Sequence, residues 1–187
     1  MREFVDVERV VAQKVEKAKS LLKEGKIDKV KTLLEEAIRE DPYYLESYIL
    51  LSEIYEMEGN IKEAEEVLES AYKKARELIS VEEKLPDRLE WRHPTNRHII
   101  NAMINRGVFY WELGEIDRAI KVFKEVYRLN PTDEPGVRFY LLALLEGMSF
   151  DEFEQVFSRD EGYDYKDLAH WFEKHAPEHP DIFKVSR

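Results

Sequence analysis

GEIDRAIKVFKEVYRLNP, residues 114–131, opens on a glycine that stops one helix and closes on a proline that ends the next. Two close variants stand earlier in the chain: GKIDKVKTLLEEAIREDP from Gly25 to Pro42, and GNIKEAEEVLESAYKKA from Gly59 to Ala75. Gly25 and Gly59 are 34 residues apart, and Gly59 and Gly114 are 55 apart, one such period with 21 residues added. Glycine adopts the left-handed conformation that closes a helix without steric penalty, and proline lacks the amide hydrogen needed to continue one. Each copy therefore reads as the second helix of a pair, entered through a tight turn.

The other landmarks keep the same spacing. Counting a third copy from Ile100 places Gly107 where two helices must approach closely, Tyr110 between neighbouring helices, then Gly114, Ala119, Phe123 and Pro131. A second copy from Leu45 supplies Tyr48, Leu51, Ser52, Tyr55, Gly59, Ala64, Leu68 and Ala71 but no closing proline. A first copy from Val11 supplies Ala18, Leu21, Gly25, Leu34, Ala37 and Pro42, with Lys14 and Lys17 where large apolar residues are usual. On these landmarks, over roughly residues 5 to 131, the sequence resembles the tetratricopeptide repeat (TPR) family, whose signature is a 34-residue helix–turn–helix unit. The resemblance implies an all-α fold, a right-handed TPR α-solenoid of antiparallel helix pairs, with repeats at about 11–44, 45–78 and 100–133.

Beyond Pro131 the pattern decays. TDEPGVRFYLLALLEGM reads as a helix capped by Thr132 or Asp133 with Pro135 in its first turn, and it resembles a variant in which the last full repeat runs into N-P-x-D-x-x-G-V-R. SFDEFEQVFSRD follows, with Ser149 and Glu152 spaced as a capping box. Together they predict a degenerate fourth repeat at about 134–160. Leu168, Trp171, Phe172 and His175 then fall on one helical face, which predicts a capping helix over about 164–176 that closes the single array, residues 1–187.

The insertion, about 79–99, has helix-forming residues up to about Lys84, and Thr95 after Pro94 as an N-cap. Two overlong helices would carry the loop LPDRLEWRHP at their tip, with Trp91 and Arg92 as a contact arm or, alternatively, folded back as a spacer.

Composition bounds the function. The 187 residues hold no cysteine, which removes disulfides and thiolate metal sites. Net charge is −11, with Lys and Arg interleaved among Glu and Asp, so neither nucleic acid nor an anionic membrane is an expected partner. The opening MREFVDVERV lacks the apolar core of a signal peptide and no apolar run approaches the roughly 20 residues of a membrane span, which predicts a cytoplasmic protein. Heavy Lys, Glu and Arg usage gives the chain a thermophile-like composition. His175 and His179 are separated by Pro177 and so share no helical face; no metal, phosphate-loop or nucleophile motif stands out, and neither a metal nor a cofactor is expected.

In the TPR family the first helix of each repeat lines a concave face that binds peptides. By that resemblance the face here includes Glu46, Ile49, Leu50, Glu53, Glu56 and Met57; Asn101, Ile104, Asn105, Val108, Trp111 and Glu112; and Arg138, Phe139 and Leu142. The family subset that clamps a terminal carboxylate wants Lys and Asn where Val15 and Lys19 stand, and Asn at Leu50, so chaperone-tail binding is not expected. Ile49, Leu50, Glu53, Asn101, Asn105, Val108, Trp111, Arg138, Phe139 and Leu142 are the candidate groove residues, with Asn101, Asn105 and Arg138 as polar handles. Each apolar member has an alternative as ordinary packing. Arg106, where the repeat usually has leucine, reads as a structural ion pair or as an anion-binding residue. The expected function is a non-catalytic scaffold for a protein or peptide partner; a self-associating module, with a homodimer, is the alternative.

Overall fold

The computed structural model describes residues 10–82, 84–160 and 162–183. The reading of the opening residues 1–9 therefore lies outside the described residues. Nine helices follow in the described residues: α1 Val10–Lys23, α2 Ile27–Glu40, α3 Leu45–Met57, α4 Ile61–Ile79, α5 Pro94–Glu112, α6 Ile116–Leu129, α7 Val137–Leu145, α8 Phe150–Phe157 and α9 Tyr165–His175. From α1 to α7, each helix packs against the next, α4 against α5 included despite the insertion between them; α3 also lies beside α5. The fold is an all-α helical repeat.

The turn glycines do what their spacing requires. Gly59 has φ +77°, its N–H donates to the Glu56 carbonyl and the next N–H, Asn60, reaches back to Tyr55. This Schellman pattern satisfies carbonyls at the end of α3. It recurs at Gly25 and Gly114, and again at Gly147, where Gly147 donates to Leu144 and Met148 to Ala143. Gly147 lies 33 residues after Gly114, one short of the period, so the pair α7–α8 is turned like the others. Between helices the contacts are made by small residues: Ala64, Ala71 and Ala75 on α4 are fully buried.

The helices flanking the insertion are overlong as expected, 19 residues each, but the loop follows the folded-back alternative and not the contact arm. The helix α4 ends at Ile79 and not near Lys84: Ser80 is extended, and Val81 and Lys84 exchange backbone hydrogen bonds of 2.9 and 3.0 Å across a tight turn. Pro86 disfavours helical geometry at Leu85, so a helix carried to Lys84 would have no following turn to join. Thr95 is not the cap of α5, which already begins at Pro94, with His93 before it. Nor does the loop project. The Leu89 N–H donates to the Leu129 carbonyl at 2.6 Å and the Asn130 side chain donates to the Leu89 carbonyl at 2.9 Å, which ties the segment to the end of α6. Leu89 is buried, and Leu85 and Trp91 pack against the main core. Removing this much apolar surface from water is worth several kcal/mol at roughly 25 cal/mol per Å2, and an extended arm would forgo it.

After α6, the buried Asp133 caps α7, accepting from the backbone N–H of Val137 at 2.7 Å and of Arg138 at 3.1 Å. Burial pushes its carboxyl up to about 6, and the hydrogen bonds and charge of Arg138 oppose that rise. The helix starts at Val137, after Pro135 and a left-handed Gly136. Ser149 and Glu152 form the reciprocal capping box of α8. A two-residue antiparallel ladder, β1 Ser158–Arg159 with β2 Gly162–Tyr163, joins α8 to α9 and had no counterpart in the sequence reading. Next to it, α9 lies on α7, with Phe172 edge-on to Phe139 at 5.7 Å.

Candidate functional site

Two parallel stripes of side chains mark the face where α3 and α5 run side by side. On α3 the stripe is Glu46, Ile49, Glu53 and Glu56; on α5 it is His98, Asn101, Asn105, Val108 and Glu112. Steps of three and four residues keep each set on one side of its helix. The stripes are in register at both ends: Glu46 interacts with His98, and Glu56 with Glu112. Ile49, Asn105 and Val108 are half-buried, and Glu53, Asn101 and Glu112 are exposed.

The polar handles differ from one another. The Asn105 amide donates one N–H to the Asn101 carbonyl at 2.9 Å, which leaves its other N–H and its oxygen free. The Asn101 side chain has no hydrogen-bond partner among the described residues. Asn101 therefore offers both of its N–H donors to a peptide backbone, and Asn105 one.

The acids fall into two groups. Glu46 accepts from Lys19 at 2.6 Å and from the Tyr44 hydroxyl at 3.0 Å. Burial alone would raise its pKa, but these hydrogen bonds hold it below the ordinary value. Glu53, Glu56 and Glu112 form no salt bridge among the described residues. Partial desolvation raises all three, and like charges add to it: Glu112 and Glu53 act on Glu56, and Asp151 and Glu154 on Glu112. Glu56 is pushed up to about 7. A carboxyl whose folded pKa lies above its unfolded value contributes stability below the unfolded value, and that contribution is lost as pH rises through the folded one. Hence Glu56→Gln is expected to melt above the wild type at pH 8, by about 2–4 °C if the relief is ~1 kcal/mol after solvent screening. At pH 5 the gain should shrink toward zero. Thermal melts at the two pH values check this, and an equal gain at both would show that charge is not the cause.

Five candidate groove residues are elsewhere. Trp111 is 2% exposed and sits among Phe123, Tyr140, Phe150 and Phe153, its indole N–H donating to the Met148 carbonyl at 2.9 Å. The packing of α8 on α5 is the reason: it covers a position that the repeat pattern leaves open. Phe139 and Leu142 are buried, Phe139 under Phe172 of α9. Leu50 is buried in the cluster of the first two helix pairs. Arg138 is half-buried, paired with Asp133 at 3.2 Å and stacked on Phe139, and so is not a free handle. Arg106 pairs with Glu69 and lies 4.0 Å from the Tyr72 ring centre, which is the structural ion-pair reading. Trp91 is half-buried with the Arg97 guanidinium 5.8 Å from its ring, and Arg92 is exposed and bonded to Glu90 at 2.6 Å.

The sequence reading kept His175 and His179 apart. A single 3-10 turn, Ala176–Glu178, instead brings both onto Glu146, at 3.1 and 2.8 Å. Among the described residues, no group of three or more His, Asp or Glu is placed to hold a metal ion, and no helix is long and apolar enough to cross a membrane. The sequence reading places Glu56 and Glu112 on the concave face without carrying them among the candidate groove residues, and it does not place His98 there. Their signal was the helical step: each continues a stripe that the candidates begin.

Two family models match the chain. Residues 21–80 match one described as tetratricopeptide repeat, and residues 100–133 match a second with the same description, together just over half of the 187 residues. No curated protein matches it.

Proposed function

The chain belongs to the tetratricopeptide repeat family, and from that premise we propose that it is a non-catalytic scaffold holding an extended segment of a protein partner on the α3/α5 face. Proteins built of these repeats generally act as protein-interaction modules. One observation carries the reading: on this face two helices present, side by side, Asn amides, half-buried apolar groups and three acids, Glu53, Glu56 and Glu112, that no base among the described residues pairs. Elsewhere the first-helix positions are filled. The described end of the array is occupied by α8 and α9, and on α1 Lys19 is already engaged by Glu46.

The chain as bait in its native lysate tests this. The double variant Asn101→Ala, Asn105→Ala is expected to lose the captured partner while melting within about 2 °C of the wild type, because exposed polar groups contribute within about 0.5 kcal/mol to folding. Capture that survives in a variant with a sharply lowered melting temperature would make the two residues structural. Light scattering on the purified chain distinguishes the remaining arrangement, in which the material retained is a second copy.

A further inference from the structure

On the α3/α5 face, negative charge is left unbalanced at one end. Glu56 and Glu112 interact directly, and Asp151 at the start of α8 adds to them. At the other end of this face Glu46 is answered by Lys19, and several acids elsewhere are answered likewise: Glu69 by Arg106, Glu125 by Arg76, Glu65 and Glu115 by Arg118. With 40 Asp and Glu against 29 Lys and Arg some acids must go without a base, and here two of them stand against each other on one face. A second feature coincides with it. Met57 and Leu113, each next in sequence to one of the two acids, are 71% and 41% exposed. Exposed methionine and leucine beside paired acids fit the aliphatic stem and charged head of a long basic side chain, which buries the one and pairs the other.

Resting on the proposed function above, we infer that the segment held on this face is an extended cationic peptide, with a Lys or Arg side chain seated between Glu56 and Glu112 and its stem against Met57 and Leu113. From Asn101 to Glu112 the helix rises about 16 Å, the length of about five residues of extended chain. In an extended chain, alternate side chains point the same way. A peptide with Lys at the acid end and apolar residues two and four positions along therefore lays apolar side chains over Val108 and Ile49, with its backbone passing the Asn101 and Asn105 amides. The two acids repel each other in the free protein and are compensated in the complex, so complementarity supplies specificity and speeds encounter.

The test uses the full chain and three labelled nine-residue peptides in which Val alternates with Ser and the last Val is replaced by Lys, Gln or Glu, so that this residue shares a face with the remaining Val side chains. Fluorescence anisotropy is expected to show the Lys peptide binding at least about tenfold more tightly than the Gln peptide, and the Glu peptide not at all. The double variant Glu56→Gln, Glu112→Gln should remove that preference. A control, Glu35→Gln with Glu63→Gln on exposed positions of other helices, should keep it, which separates seating at this face from general attraction to a chain of charge −11. Equal binding of all three peptides, sensitive to Asn101→Ala, would overturn the charge assignment and leave the docking face standing. A Lys preference lost equally in the control variant would overturn it as non-specific. No binding by any peptide would also overturn it, and the capture experiment would then judge the docking face by itself.

Discussion

Trp111→Ala is expected to destabilise the protein by about 3–5 kcal/mol, the range for truncating a buried aromatic to alanine. In a chain of this size each kcal/mol moves the melting temperature by about 2–4 °C, so the loss should be on the order of 10 °C or more. The indole lies within 5.3 Å, centre to centre, of both Phe150 and Phe153, and its N–H holds the Met148 carbonyl in the turn before α8. Removing it opens a cavity between α5 and α8 and orphans that carbonyl. Hydrogen exchange should therefore rise first in α8, where the lost contacts are concentrated, and less in α1 and α2, which belong to a separate cluster. Trp111→Phe keeps most of the volume and loses the hydrogen bond, and should fall by only about 1–2 kcal/mol. If the alanine variant melted like the wild type, Trp111 would have to be exposed as a groove residue after all.

That expectation reverses the sequence reading, and the reason shows how far such reading goes. The period located every turn glycine of the three pairs it aligned, and α2 and α6, read from matching stretches, are both 14 residues long. It also identified which side of α5 carries Asn101, Asn105 and Val108. A helical step says which residues share a face, but not what a later segment lays over it. Trp111 and Glu112 are adjacent, yet α8 covers one and leaves the other open, and that depends on Phe150 and Phe153, about 40 residues away. The same holds for Phe139 under α9 and for Leu89, whose burial is set by its hydrogen bonds with Leu129 and Asn130. These are long-range contacts between an irregular segment and the array, and no short-range pattern encodes them. Gly147 was legible in principle: its spacing from Gly114 is one residue off the period.

Gly107→Val should be comparably damaging, for the opposite reason. A Cβ added at Gly107 would stand 2.6 and 2.8 Å from two ring carbons of Phe123, closer than unbonded carbons approach. The ring has nowhere to go: Phe123 is fully buried, with Trp111 at 6.5 Å on one side and Tyr140 at 5.6 Å on another. Glycine inside a helix is itself unfavourable by about 1 kcal/mol relative to alanine, so its presence in α5 is offset by the closeness of α5 and α6 that it permits. Gly107→Ala sets that ~1 kcal/mol gain against an overpacking penalty of about 1–3 kcal/mol and should be mildly destabilising. Valine adds two methyl groups at the same contact and a stiff χ1, and should lower stability by about 3 kcal/mol or more, a fall of roughly 6–12 °C in melting temperature. Because the clash has one named partner, a second change should relieve it. Phe123→Leu alone creates a void, yet in the Gly107→Val background it makes room, so the double variant should be more stable than the sum of the single losses by about 1 kcal/mol or more. Additive losses in that cycle would mean that the valine is accommodated by α5 moving away from α6, and that the contact with Phe123 does not set the helix spacing.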